Sequence, residues 1–112
     1  ITRPMPLLTT GISHHTATLE IRERIAIART DYAARVKELN ELDGVEEVVV
    51  VSTCNRTEIY SIGQKQSGEQ VRQWLQAKGD LSDAEMEEHC YVRERELAVR
   101  HLFRVAGGLE SL

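Results

Sequence analysis

The run Val48-Val49-Val50-Val51-Ser52-Thr53-Cys54-Asn55-Arg56-Thr57-Glu58-Ile59-Tyr60 limits what this chain can fold into more than any other stretch. Four consecutive β-branched residues suit a pleated strand and crowd a helix, so residues 48–51 are expected to form a buried strand. The composition then changes abruptly. Ser52 to Arg56 are polar or reactive, Asn55 favours turns, and residues 57–62 return to strand-like character. The simplest product is a β-hairpin whose tip carries Cys54 beside Arg56. A rigid strand then delivers a thiol, two hydroxyls, an amide and a guanidinium into one small volume. That set suits a nucleophile next to a carboxylate-binding group. A blander reading competes. Free cysteines are most often small buried hydrophobes, and an arginine near a turn is most often a solvated charge. Polar neighbours distinguish Cys54 from Cys90, which lies in His89-Cys90-Tyr91-Val92 and is read as structural.

Around this hairpin the other elements follow from local signals. Residues 7–12 make a first strand, in which Gly11 permits close backbone approach. Ser13-His14-His15 form a loop, and Thr18 caps a short helix through Ile25 with Ile21 and Ile25 on one face. Thr30 or Asp31 starts a second helix, running to about Leu42. Its stripe is Tyr32, Val36 and Leu39, and Gly44 is placed to stop it. Beyond the hairpin, Ser67 with Gln70 and Ser82 with Glu85 read as two capping boxes. The first opens a helix that buries Val71, Trp74 and Leu75 and ends at Gly79. The second opens a short helix to about Glu88. Residues 89–92 make a last strand. A final helix begins at Glu94 or Arg95 and ends at Gly107-Gly108, with Leu97, Ala98, His101, Leu102 and Val105 on one face. The expected fold is therefore α+β. It has the ferredoxin-like order β-α-β-β-α-β, an antiparallel sheet with helices on one face, and an added C-terminal helix. The valines are apolar on both sides of their strand, whereas such a sheet normally has one wet face. The last helix is accordingly expected to cover part of the second face.

Composition narrows the function classes. With 112 residues, 41% hydrophobic and 29% charged, residues 1–112 are expected to form one soluble domain. A net charge of −4 argues against an extended nucleic-acid surface, though not against contact with one RNA end. One Phe, one Trp and three Tyr are too few for a base-stacking platform. Two cysteines make neither a disulfide framework nor a zinc pattern, which points to a reducing, cytoplasmic setting. No apolar run reaches membrane-spanning length. Met5 is a candidate natural start, and the ending Gly107-Gly108-Leu109-Glu110-Ser111-Leu112 reads as a cut within a longer protein. His14 and His15 invite a metal reading with Cys54 and His101. Adjacent histidines rarely both ligate one metal and no spaced ligand pair is present, so no metal is assigned.

Three segments resemble one family. Ser52-Thr53-Cys54-Asn55-Arg56-Thr57-Glu58 is similar to the active-site segment of glutamyl-tRNA reductases. Gly11-Ile12-Ser13-His14-His15-Thr16-Ala17, followed by Ile21-Arg22-Glu23-Arg24, looks like that family's N-terminal signature. The stretch from His101 through Phe103, Gly107 and Gly108 to Ser111 looks like its third. The resemblance implies the N-terminal catalytic domain of an enzyme whose nucleotide-binding and dimerisation domains lie elsewhere. It implies that Cys54 attacks the ester of glutamyl-tRNA. The resulting thioester is reduced with NADPH to glutamate-1-semialdehyde, the start of tetrapyrrole (porphyrin) synthesis. Arg56 then grips a substrate carboxylate, and Thr53 and Asn55 hydrogen-bond the glutamate. Ser111 also reaches substrate. His101 serves as acid or base if its helix lies near the hairpin, although a lone histidine on an apolar face is more often a core residue. Implied partners are glutamyl-tRNA, a second copy in a homodimer, and glutamate-1-semialdehyde aminotransferase. The reading from a different class is a non-catalytic ferredoxin-like interaction module whose thiol is incidental.

Overall fold

A computed structural model describes residues 7–94. The elements run β1 (Leu7–Ser13), α1 (Leu19–Ile25), a 3-10 turn (Arg29–Asp31), α2 (Tyr32–Asn40), β2 (Val45–Ser52), β3 (Arg56–Gly63), α3 (Ser67–Gly79), α4 (Asp83–His89) and β4 (Tyr91–Glu94). The four strands form one sheet in the order β2-β3-β1-β4, and every neighbouring pair is antiparallel. The expected final helix lies outside the described residues, so its cover of the second face does too.

Strand alternation separates two faces. One presents Ile12 of β1, Val48 and Val50 of β2, and Ile59 of β3 to the helices. There they join Ile21, Ile25, Leu39, Val71, Leu75 and Met86 in a continuous core. Ile12, Ile25, Leu39, Ile59, Val71, Leu75 and Met86 are completely buried, each contributing on the order of 1.5–3 kcal/mol. The expected stripe on α2 is present, with Leu39 buried and Tyr32 and Val36 packed against the core.

Three expectations need correction. The valine run is a strand but not a buried one, because β2 lies at the sheet edge; Val50 is buried while Val49 is 59% exposed. The capping box at Ser67 is not formed. Ser67 is the first residue of α3 and its Oγ is buried with no partner among the described residues. It packs against Gly63 at the end of β3, where an added Cβ would lie 2.9 Å from that Oγ. Close strand-to-helix packing has displaced the capping geometry. Thr18 does precede α1, but its side chain makes no capping bond. The second capping box is complete: Ser82 Oγ accepts from the Glu85 backbone N–H at 3.0 Å, and Glu85 Oε1 accepts from the Ser82 N–H at 2.9 Å. Gly44 adopts a positive φ of 83° in the turn before β2, which a side chain would resist.

The second face is polar yet buried. Cross-strand pairing sets Ser13 opposite Arg56, Gly11 opposite Glu58, and Thr9 opposite Tyr60, with Tyr91 of β4 on the far side of Gly11. Arg56 is 1% exposed, Glu58 0% and Tyr60 4%. Such groups are tolerated inside only when they satisfy one another.

Candidate functional site

Thr53, Cys54 and Asn55 form the three-residue tip of the β2–β3 hairpin, closed by the Thr53 N–H donating to the Arg56 carbonyl at 2.7 Å. Thr53 Oγ1 accepts from the Asn55 N–H at 3.2 Å, a short-range turn bond of the kind threonine makes readily. Two other elements hold the tip. The His14 N–H, in the β1–α1 loop, donates to the Asn55 carbonyl at 2.7 Å. Arg22 Nη1, on α1, donates to the Cys54 carbonyl at 2.7 Å.

The base of the hairpin is fixed just as firmly. Tyr32 receives the Ser52 N–H on its hydroxyl at 2.8 Å and donates that hydroxyl to the Ser52 carbonyl at 2.9 Å. Ser52 Oγ accepts from the Ile27 N–H at 2.9 Å and lies 2.8 Å from Thr57 Oγ1. The expected hairpin thus exists, and Cys54 is a free, exposed thiol at its tip. Cys90 differs, being half-buried, and burial pushes its thiol above the ordinary value. Burial thus disfavours the thiolate form at Cys90.

Arg56 is placed differently from a surface guanidinium beside the thiol. It points into the second sheet face, and its Nη1 lies 3.5 Å from Glu58 Oε2, with both side chains fully buried. Glu58 also accepts a hydrogen bond from Tyr60 on Oε1 at 3.0 Å and a very short one from Tyr91 on Oε2. Burial first, and the adjacent Glu58 second, push both phenols well above their ordinary value, so they remain protonated donors at any working pH. Arg93 stacks over the Tyr91 ring at 4.6 Å. Gly11 makes this cluster possible. It lies between Glu58 and Tyr91 in the sheet, and a Cβ there would sit 2.8 Å from both Glu58 Cγ and the Thr57 carbonyl oxygen.

The hairpin therefore brings Thr53, Cys54 and Asn55 into one turn, Arg56 begins β3 with its side chain turned into the second sheet face, and His101 and Ser111 lie outside the described residues. His14 and His15 stand beside the tip with ring centroids 3.9 Å apart. Among the described residues no three His, Cys, Asp or Glu side chains converge as a metal site would require. Sequence reasoning gave no role to Arg22, Glu58, Tyr60 or Tyr91, although Arg22 and Glu58 stand in the segments that carry the family resemblance. For Glu58 and Tyr60 a signal existed, since Arg56, Glu58 and Tyr60 share one face at i, i+2 and i+4. Arg22 and Tyr91 reach the hairpin only through tertiary structure.

Residues 10–112 match the family described as "Glutamyl-tRNAGlu reductase, N-terminal domain". The chain belongs to this family. Glutamyl-tRNA reductase of Marinobacter nauticus is 43% identical over 108 residues, covering 96% of this chain and 25% of that protein. The glutamyl-tRNA reductase of Chromohalobacter salexigens is 42% identical, again covering 96% of this chain and 26% of its own length. The solved structure of glutamyl-tRNA reductase from Methanopyrus kandleri superposes with a TM-score of 0.65 at 32% identity, over 95% of this chain and 23% of that one. The chain thus spans about a quarter of the length of these glutamyl-tRNA reductases, and its small α+β architecture is that of their N-terminal domain. No helix among the described residues is long and apolar enough to cross a membrane.

Proposed function

We propose that the chain is the catalytic domain of a glutamyl-tRNA reductase acting in tetrapyrrole synthesis, with Cys54 as its nucleophile. The single observation that carries this is the exposed thiol on a three-residue tip whose backbone is fixed by the β1–α1 loop, α1 and the hairpin itself. A covalent mechanism needs a nucleophile that is both reachable and held still. The Cys54 sulfur adds to the ester carbonyl carbon of glutamyl-tRNA, the carbon–oxygen bond to the ribose breaks, and the ribose oxygen leaves with a proton. The product on the chain is a thioester at Cys54.

Substrate glutamate is read at the tip by Thr53 and Asn55 and, from beyond the described residues, by Ser111, with His101 as acid or base; a grip by Arg56 on the substrate carboxylate rests on the family resemblance, because its side chain is buried against Glu58. Glu58, two residues further along β3, pairs with Arg56 at 3.5 Å and holds its guanidinium in the second sheet face. The strand order β2-β3-β1-β4, antiparallel throughout, with helices linking β1 to β2 and β3 to β4, supports the ferredoxin-like reading of the fold.

Converting the thioester to an aldehyde needs a hydride, which NADPH supplies. The described residues do not fit that cofactor. Neither strand-to-helix connection, His14–Thr18 nor Gln64–Gln66, carries the G-x-G-x-x-G spacing of a dinucleotide site. Gly63 is moreover packed against the Gly44 carbonyl, where a Cβ would fall 2.2 Å from the oxygen. The hydride donor, dimerisation and any handover to an aminotransferase are assigned to the remaining three quarters of the enzyme, and the setting is cytoplasmic.

Full-length enzyme supplied with glutamyl-tRNA and NADPH tests the proposal. Cys54→Ser is expected to lose aldehyde formation entirely while its circular dichroism matches wild type. Aldehyde production at the wild-type rate by Cys54→Ser removes the nucleophile assignment and leaves the interaction-module reading.

A further inference from the structure

A side chain from another element holds the exposed tip. Arg22 reaches from α1 to the Cys54 carbonyl, bridging 32 positions of sequence. Its helix is a firm base. Ile21 and Ile25 are sunk in the core, and Arg24, two residues on, donates to the Gly79 carbonyl at 2.8 Å and pairs with Glu85 at 3.1 Å. Arg22 Nε is buried and finds no partner among the described residues. A buried donor without a partner is unfavourable, so the guanidinium is not placed where its own hydrogen bonding is best satisfied. The charged bond to Cys54 offsets this, being roughly twice as strong as a neutral one.

We propose that Arg22 is a positioning residue for Cys54, holding the Cys54 carbonyl so that the thiol at the exposed tip keeps one direction. The proposal rests on the reading of Cys54 as nucleophile. Fixing the carbonyl fixes the peptide plane after Cys54, and the side chain's own direction follows from that backbone. Attack on an ester carbonyl requires alignment, and a misplacement of about 1 Å costs on the order of 10²-fold. Removing the Arg22 bond leaves the tip closed by Thr53 and Asn55 but free to pivot at Cys54.

Arg22→Gln and Arg22→Lys test this with two readouts. In full-length enzyme, Arg22→Gln is expected to lower kcat for glutamyl-tRNA by about 10–100-fold with KM changed less than about threefold, since positioning acts on the attack rather than on binding. Arg22→Lys, whose ammonium still donates to the carbonyl, restores most of that loss. In the chain itself, ¹⁵N relaxation at the Cys54 amide is expected to give an order parameter of about 0.85 in wild type and below about 0.6 in Arg22→Gln, with Arg22→Lys near wild type. Arg22→Lys also keeps the comparison informative where Arg22→Gln folds poorly. A Cys54 amide that stays rigid in a folded Arg22→Gln overturns the proposal whatever the turnover. A loosened tip with unchanged kcat overturns it too. In that last case Cys54→Ser tells the two failures apart: activity retained in Cys54→Ser means the nucleophile reading was wrong, and activity lost means Arg22 alone was misjudged.

Discussion

Replacing Gly11 with alanine pits a local rule against a tertiary one, and the two disagree in sign. Glycine inside a strand is less favourable than alanine by about 0.5–1 kcal/mol, so propensity alone has Gly11→Ala stabilise the domain. The geometry opposes this. The new methyl would lie 2.8 Å from Glu58 Cγ and 2.8 Å from the Thr57 carbonyl oxygen. The oxygen belongs to the backbone of β3 and cannot rotate away. Overpacking of this kind costs about 1–3 kcal/mol, leaving a net loss of about 1 kcal/mol once propensity is subtracted. Displacing Glu58 also separates it from Tyr91 on the other side of Gly11, and a hydrogen bond to a charged group is worth about 1.5–3 kcal/mol. The total is about 2.5–4 kcal/mol, or a fall in Tm of roughly 10–20 °C for a domain of this size. Thermal unfolding followed by circular dichroism measures it. A cycle with Tyr91→Phe then locates the effect, because Tyr91→Phe should cost at least about 1 kcal/mol less in the Gly11→Ala background than in wild type. An unchanged or higher Tm for Gly11→Ala refutes the claim that Gly11 exists to let Glu58 and Tyr91 meet.

Two further outcomes follow from the same physics. Glu58→Gln keeps shape but removes the negative charge facing Arg56; breaking a buried pair costs about 3–5 kcal/mol, so the urea midpoint should fall sharply, and an unmoved midpoint contradicts the pairing. At Ser82, the Glu85 carboxyl is held below its ordinary value of 4.5, chiefly by the Ser82 backbone N–H. A depressed folded-state value means stabilisation that is present above pH 4.5 and lost as pH falls through the lower folded value. Tm should therefore drop more steeply on acidification in wild type than in Glu85→Gln, and parallel curves contradict the cap.

How much of this was legible beforehand depended on the range of the interaction. The hairpin, Cys54 at its tip, the Ser82–Glu85 box and the α2 stripe rest on neighbours within one turn or one strand, and each is present. Ser67 shows the limit. Its sequence signature is as good as that of Ser82, yet contact with Gly63 decides its geometry. Val49 shows a second limit, since a run of valines does not say whether its strand lies at an edge. Arg56 and Glu58 alternate like residues of a wet face, and polar pairing, including that with each other and with two tyrosines, reconciles charge with burial. Arg22 stands in a recognisable segment, but nothing local shows what it holds, because its partner lies 32 residues away.

The most direct test of the central claim is to trap the acyl group. Glutamyl-tRNA labelled in the amino acid is mixed with the enzyme without NADPH, the reaction is quenched in acid to preserve thioesters, and the protein is digested for peptide mass mapping. The label should appear on the peptide carrying Cys54, be absent from the Cys90 peptide, and disappear in Cys54→Ser. Label on Cys90, or label that survives in Cys54→Ser, contradicts the assignment of Cys54 as nucleophile.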